Sequence, residues 1–554
     1  TRQHRATRGR GDLQQRHGSY HYANSRQPLN GPLGTPAIYC QRTRRQRLSH
    51  CPAICCTNPG RADANLRNAL AERLRTRSRP PGRRFGGLPM SIGQEFDDGT
   101  VVVQAKRRWT ELFMLLIAWA IGFGGWALTE LNINHIVPNT WMIVGGVWLA
   151  VIGVAHIFVR IVIPYADPVI LPIAFTLNGL GLAMIHRIDY IPDPHYHRME
   201  TQALWTALGI VLFVATLLIL RDHRNLQRYP YVLFIVGLVF LMLPLIPGLG
   251  METLGSRVWI RIGSYTFQPA EISKVTLAIA FAGYLVDNRD VLSRAGHKIL
   301  GVTLPRARDL GPIAVMWVAT MLVIVYQNDL GTGMLFYGMF VVMLYITTER
   351  GGWAILGAVS FLGGAVLAYT FFGHVRVRFD SWLHPFTDYT QNYQIIQAQF
   401  GLAWGGLAGR GWGLGRPGMV PLAWSDFIAT SIGEELGVTG LMAVIVLFFV
   451  LTARGMRTSL GCRDEFGKLM VVGLSFTLSL QVFAIIGGVT RLLPLTGLTT
   501  PFMSQGGSSL IANWVIVAII MIVSHRNRKP ADDFVATTPT PDPQQVLTPD
   551  GGTR

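Results

Sequence analysis

The chain has 554 residues, half of them apolar and only 14% charged, with a mean hydropathy of +0.33. That balance excludes an ordinary soluble enzyme and points to a polytopic membrane protein. The net charge of +18 suggests a nucleic-acid binder, but eighteen Arg, no Lys and three acids (Asp12, Asp63, Glu72) in residues 1–89 supply +15 of it. The rest is nearly neutral, and no nucleic-acid partner is expected.

Residues 1–89 also hold four of the five cysteines (Cys40, Cys51, Cys55, Cys56), no Met, and no apolar run long enough for a signal peptide or a span. One reading is a disordered basic arm for anionic lipid or nucleic acid, with Cys51, Cys55 and Cys56 as a metal or redox cluster. The other is sequence upstream of a start codon placed too early, with Met90 as the true start. The Arg-only, Met-free composition favours the second, and neither reading predicts a fold there. The fifth cysteine, Cys462, offers no disulfide framework.

After a cytoplasmic segment, 90–108, apolar stretches recur at the length of about 20 residues that a helix needs to cross the hydrocarbon core. Twelve are expected, near 109–131, 140–161, 168–186, 202–220, 230–248, 269–287, 311–327, 330–347, 353–372, 434–453, 468–488 and 508–525. With the N-terminus inside, the inner loops carry twenty Lys or Arg and the outer loops nine. Basic loops stay cytoplasmic, so both termini are predicted inside and the long loop 373–433 outside. The Pro- and Thr-rich tail 529–554 reads as a disordered cytoplasmic end.

No G-x-x-x-x-G-K-[ST] phosphate loop exists, and the Gly-rich run at 401–418 lies on the predicted outer side, where nucleotide is absent. His186, His195 and His197 lack metalloprotease spacing and read as a solvated loop. Asp426 is more informative. Ser425 before it is a candidate N-cap, and Asp426, Thr430 and Glu434 recur at i, i+4 and i+8, the spacing of one polar helical face. Taken alone, such an acid is most often a helix-end charge. Its company weighs against that reading, since ionisable groups beside spans tend to face a cavity. Gln327, Asn328 and Asp329 join two spans; Arg257 and Arg261 precede the sixth; Glu271 and Lys274 lie one helical turn apart at its start, where a structural ion pair is an equal alternative.

The stretches QPAEISK (268–274), QNDLGT (327–332), SDFIATSIGEELG (425–437) and PLTGLTTPFMSQGGSS (494–509) resemble, in order, the SEDS family of RodA and FtsW, most of all its RodA-type actinobacterial branch. The resemblance covers about 167–528. It implies an all-α polytopic membrane protein with a ten-helix core, to which the helices in 109–166 are an N-terminal addition. It also implies a plasma-membrane peptidoglycan glycosyltransferase that polymerises lipid II outside the membrane, in cell elongation and shape maintenance, paired with a class B penicillin-binding protein. An FtsW-like division polymerase and a lipid II flippase are the alternatives; no repeat relates the two halves as in many transporters. A membrane scaffold is a third, for which the outer polar cluster would be unnecessary.

The family's essential acid falls on Asp426, as general base for the acceptor sugar's hydroxyl. Candidates for the substrate's charged and polar groups are Arg257, Arg261, Glu271, Lys274, Asp329, Arg376, Arg378, Arg410, Glu434 and Ser508, with Arg416 on the same side. No cofactor is certain; a divalent cation, Mg or Mn, is a candidate to share the diphosphate's charge. The chain departs from the family pattern at Asn328 (usually Pro), Gln505 (usually Tyr) and Trp424 (often His), and no role transfers there.

Overall fold

The computed structural model describes residues 106–530 apart from 191–196, 254, 264, 293–297, 300–301 and 304–306. The chain divides into two units, Thr1–Pro89 and Met90–Arg554. The first, with its cysteine cluster, lies outside the described residues, as do His195 and the tail from 531.

Every expected span is a helix. In order they are α1 (Arg108–Asn134), α2 (Trp141–Val162), α3 (Ile170–Asp189), α4 (Arg198–Ile219), α5 (Pro230–Met242), α6 (Ala270–Asp287), α7 (Ala307–Tyr326), α8 (Leu330–Thr348) and α9 (Gly351–Phe371). The outer loop then holds three shorter helices, α10 (Gly373–Leu383), α11 (Tyr393–Gly405) and α12 (Ile428–Glu435). The last spans are α13 (Gly437–Leu460), α14 (Glu465–Val489) and α15 (Gly507–Arg528). Among the described residues nine of these are long and apolar enough to cross a membrane. The chain is a multi-pass, helical membrane protein.

Burial ranks the helices. Of the most apolar stretch of each, 94% is buried in α15 and 89% in α3, but only 6% in α9. The first two form the centre and α9 presents its side chains outward. Apolar contact drives little helix association in lipid, where close packing decides. The added helix α1 meets α3 in this way: a Cβ on Gly122 would lie 2.9 Å from the Cα of Gly179. A larger residue at either position would hold the helices apart.

Three findings go beyond the expected helices. A three-stranded antiparallel sheet, β1 (Gly250–Thr253), β2 (Ser256–Ile262) and β3 (Tyr265–Phe267), lies between α5 and α6. It is tied to the turn after α7, where Arg257 N–H donates to the Gln327 carbonyl at 3.2 Å. Second, the tenth span begins at Gly437 and not at Glu434. The chain breaks between α12 and α13 because Gly437 has φ +70°, and a Cβ there would collide with the Gly409 backbone. Third, α12 starts at Ile428 with Phe427 as its N-cap residue, so Ser425 caps no helix. Asp426 thus lies in a turn, off the helix that carries Thr430 and Glu434.

Candidate active site

The site is organised by a segment with neither helix nor strand, residues 490–506 between α14 and α15. Its carbonyls, and that of Val489 before it, need donors, and side chains from distant elements supply them. Gln399 donates to Val489 O at 2.7 Å, Trp382 to Arg491 O at 2.9 Å and Asn178 to Phe502 O at 3.0 Å. Gln202 donates to Ser504 O at 2.9 Å, and Gln481 to Thr499 O at 2.8 Å. Arg378 reaches Thr496 O at 3.2 Å and, at the limit of a hydrogen bond, Leu495 O at 3.5 Å.

The turn bearing Asp426 is bound to this segment. Ser504 Oγ donates to Ser425 O at 2.6 Å and Gln505 N–H to Trp424 O at 2.9 Å. Trp424 lies under the Arg198 guanidinium, 3.9 Å from its ring centre. Asp426 is partly buried. Its Oδ1 accepts from Ser425 Oγ at 3.0 Å, and no described residue hydrogen-bonds Oδ2. Oδ2 and an Arg378 Nη both face the Cα of Gly497, 3.9 and 3.8 Å from where a Cβ would be. Withdrawal from water raises the Asp426 pKa above the ordinary value, while the Ser425 bond and the Arg378 charge act the other way. The result is a carboxylate with a free basic oxygen beside a fixed cation.

Arg378 is held by carbonyls alone. No carboxylate among the described residues lies within 4.0 Å of it, so its charge is available to an anion. His374, one turn earlier on α10, has a buried Nε2 without a partner among the described residues, and burial and Arg378 lower its pKa. Asp329 caps α8, accepting from Thr332 N–H at 3.0 Å. Burial raises its pKa above all; the Thr332 bonds and Arg378 oppose this, and Glu271 adds to it. Lys274 Nζ donates to Glu271 at 2.7 Å and to Gln481 at 3.0 Å. Gln481 passes that contact on to Thr499.

Asp426, Arg378, Asp329, Glu271 and Lys274 therefore converge around 495–499, and Ser508 is buried in the first turn of α15 just beyond. The other candidates do not join them. Arg257 and Arg261 are exposed on β2, bonded to Glu252 at 2.9 Å and Met251 Sδ at 3.0 Å. Arg376 and Arg410 are exposed over Tyr369 and Trp404. Glu434 is buried and accepts the Arg416 N–H at 2.7 Å, holding backbone of the Gly-rich run. The residues missed in the sequence include Asn178, Gln202 and Gln481. The available signal was an amide inside an apolar run.

Backbone strain marks the same place. Of six described non-glycine residues with left-handed φ, four flank the site: Asn328, Leu422, Arg491 and Phe502. Each such residue costs on the order of 1–3 kcal/mol and persists only where its surroundings dictate it.

A family model described as cell cycle protein, covering FtsW, RodA and SpoVE, matches residues 168–529. The chain belongs to the FtsW/RodA/SpoVE family. Over 430 residues it is 44% identical to the peptidoglycan glycosyltransferase RodA of Mycobacterium tuberculosis (strain H37Rv), covering 76% of this chain and 92% of that protein. A probable peptidoglycan glycosyltransferase FtsW of Geobacter metallireducens is 31% identical over 373 residues, 65% of this chain and 95% of that one. Among solved structures, a chain from work on "structural coordination of polymerization and crosslinking by a peptidoglycan synthase complex" aligns with TM-score 0.52 and 24% identity over 66% of this chain and 99% of that one, a likeness of fold. The match from 168 leaves α1 and α2 outside the family model.

Proposed function

We propose that this chain is a peptidoglycan glycosyltransferase of the RodA type, polymerising lipid II on the outer face of the plasma membrane during cell elongation, with both termini cytoplasmic. The higher identity to a RodA than to an FtsW supports elongation over division. The observation that carries the chemistry is the free Oδ2 of Asp426 beside Arg378, a cation with only neutral partners.

In the proposed step Asp426 Oδ2 takes the proton of the acceptor sugar's hydroxyl as that oxygen bonds to the anomeric carbon of the donor. The bond from that carbon to the undecaprenyl diphosphate breaks, and its electron pair leaves on the phosphate oxygen. A pKa raised by burial strengthens proton uptake by the base. Arg378, preorganised by carbonyls, meets the charge that develops on the leaving group. Gln481, fixed in turn by Lys274 and Glu271, holds Thr499 in the 495–499 segment that positions Arg378.

A divalent cation, Mg or Mn, is proposed to share the diphosphate's charge. Carboxylate oxygen is the donor such ions prefer, and Asp426 and Asp329 supply it near Arg378. Among the described residues three ligating side chains meet only at His223, Cys462 and Asp464, at the opposite end of α14. A cation at Asp426 would draw its other ligands from substrate and water. Unchanged polymerisation in excess chelator would remove this part of the proposal.

A class B penicillin-binding protein is the proposed partner, and co-purification in mild detergent tests it. The deciding experiment supplies lipid II and that partner to the purified full chain. Glycan strands are expected from the parent and none from Asp426→Asn. Transfer of lipid II across vesicles without polymer would overturn the reading in favour of a flippase.

A further inference from the structure

Helix α1 lies outside the family match, yet it grips the outer loop. Trp412, 7% exposed, donates its indole N–H to Thr129 Oγ1 at 2.8 Å, and its carbonyl accepts from Asn132 Nδ2 at 2.6 Å. The ring also lies against Gly125, where a Cβ would be 3.1 Å from it. Thr129 is fully buried.

The next residue carries the grip inward. Gly413 N–H donates to Glu435 Oε2 at 2.8 Å, and Glu435 Oε1 accepts from Arg187 Nε at 2.9 Å. Arg187 also donates to Gly415 O at 2.8 Å, and Gly411 N–H to Glu435 O at 2.9 Å. Glu434 and Glu435 end α12, an eight-residue helix that begins at Ile428, two residues after Asp426. A helix of that length is a strut of about 12 Å, buried at every residue.

We propose that Trp412 is a positioning residue and α1 a brace: Thr129 and Asn132 hold Trp412, Trp412 with Gly413 holds Glu435, and α12 transmits that placement to the turn carrying Asp426. The juxtaposition rests on the hydrogen bonds at the Glu435 end of one rigid element and on the Ile428 N–H at its other end, which donates to Ser425 O at 3.4 Å. Its catalytic consequence depends on the glycosyltransferase reading; the mechanical coupling does not. A small error in placing a reacting group costs up to about a hundredfold in rate, so a loosened brace lowers kcat while leaving KM for lipid II near its parent value.

The test uses the full chain carrying Thr129→Val with Asn132→Leu, which removes both polar contacts with little change of shape, and Thr129→Ser as the conservative control. Hydrogen–deuterium exchange should speed up over 410–416 and also over 421–435 in the double variant, with Thr129→Ser like the parent. With lipid II, the double variant should lose about tenfold to a hundredfold in kcat without a matching rise in KM. Unchanged exchange over 421–435 overturns the coupling, as does parental kcat in a double variant whose parent polymerises. A double variant that fails to fold passes the question to Trp412→Phe, which keeps an aromatic ring but removes the pyrrole half of the indole with its N–H; parental exchange and kcat there would equally sink the proposal. A parent that makes no polymer refutes the glycosyltransferase reading alone, and the exchange result still decides the brace.

Discussion

Arg378 and Asp426 face the same Gly497 surface without bonding each other: an Arg378 Nη and Asp426 Oδ2 lie 3.8 and 3.9 Å from the point a Cβ on Gly497 would occupy. A direct ion pair would satisfy both groups and leave neither for substrate. Held apart, one by carbonyls and the other by a serine hydroxyl, they keep a base and an anion site adjacent.

Asp426→Asn keeps the size and the Ser425 contact but loses the basic oxygen. Polymerisation should fall by about 10² to 10⁴, with the melting temperature little changed. Glu434→Gln still accepts the Arg416 N–H and should retain most activity. A well-folded Asp426→Asn enzyme with parental turnover would make Asp426 a structural residue of the turn and no more.

The pH dependence has a determined sign. Burial raises the Asp426 pKa and Arg378 lowers it, so activity should fall with acidification along a limb displaced above the ordinary aspartate range. Arg378→Gln removes the opposing charge and should move that limb to still higher pH, with a lower plateau. Measured kcat profiles decide this, and a limb that moves to lower pH contradicts the arrangement.

Lys274 and Glu271 form a buried pair, 2.7 Å apart. Lys274→Met alone leaves Glu271 uncompensated and should cost about 3–5 kcal/mol. Adding Glu271→Leu should recover much of that loss. Thermal unfolding in detergent reads both; a double variant no more stable than the single would mean that the pair is not coupled.

Loop topology is testable at Leu407, which is 73% exposed. Neighbouring Gly405 is unsuitable, since a Cβ there would collide with Gly433 O. Leu407→Cys should react with an impermeant thiol reagent in intact spheroplasts. Labelling only after lysis would invert the proposed orientation.

The twelve expected runs all proved helical because a long apolar run needs no partner to declare itself, and nine helices among the described residues are long and apolar enough to cross a membrane. Even α6 was legible despite Glu271 and Lys274, which neutralise one another. The face proposed for Asp426, Thr430 and Glu434 was not legible in the same way. Spacing assigns residues to one face only if the helix is continuous, and this one starts after Asp426. Nor does periodicity reveal segment 490–506, whose geometry depends on donors such as Gln481 and Asn178, 18 and 324 positions away in sequence. The basic residues were misleading for a related reason: charge counts place an arginine on a side of the membrane, whereas among the candidate arginines described only Arg378 bonds two carbonyls that aim it.

The side chains that cap the carbonyls of 489–504 come from Asn178, Gln202, Arg378, Trp382, Gln399 and Gln481, every one of them nearer the N-terminus than the segment they serve. Synthesis runs from the N-terminus, so when these peptide groups leave the ribosome their donors have already been made. The last irregular stretch can be received by a finished cradle, whereas a circular permutant beginning at α13 would expose those carbonyls before any of the donors on α3, α4, α10 and α11 existed.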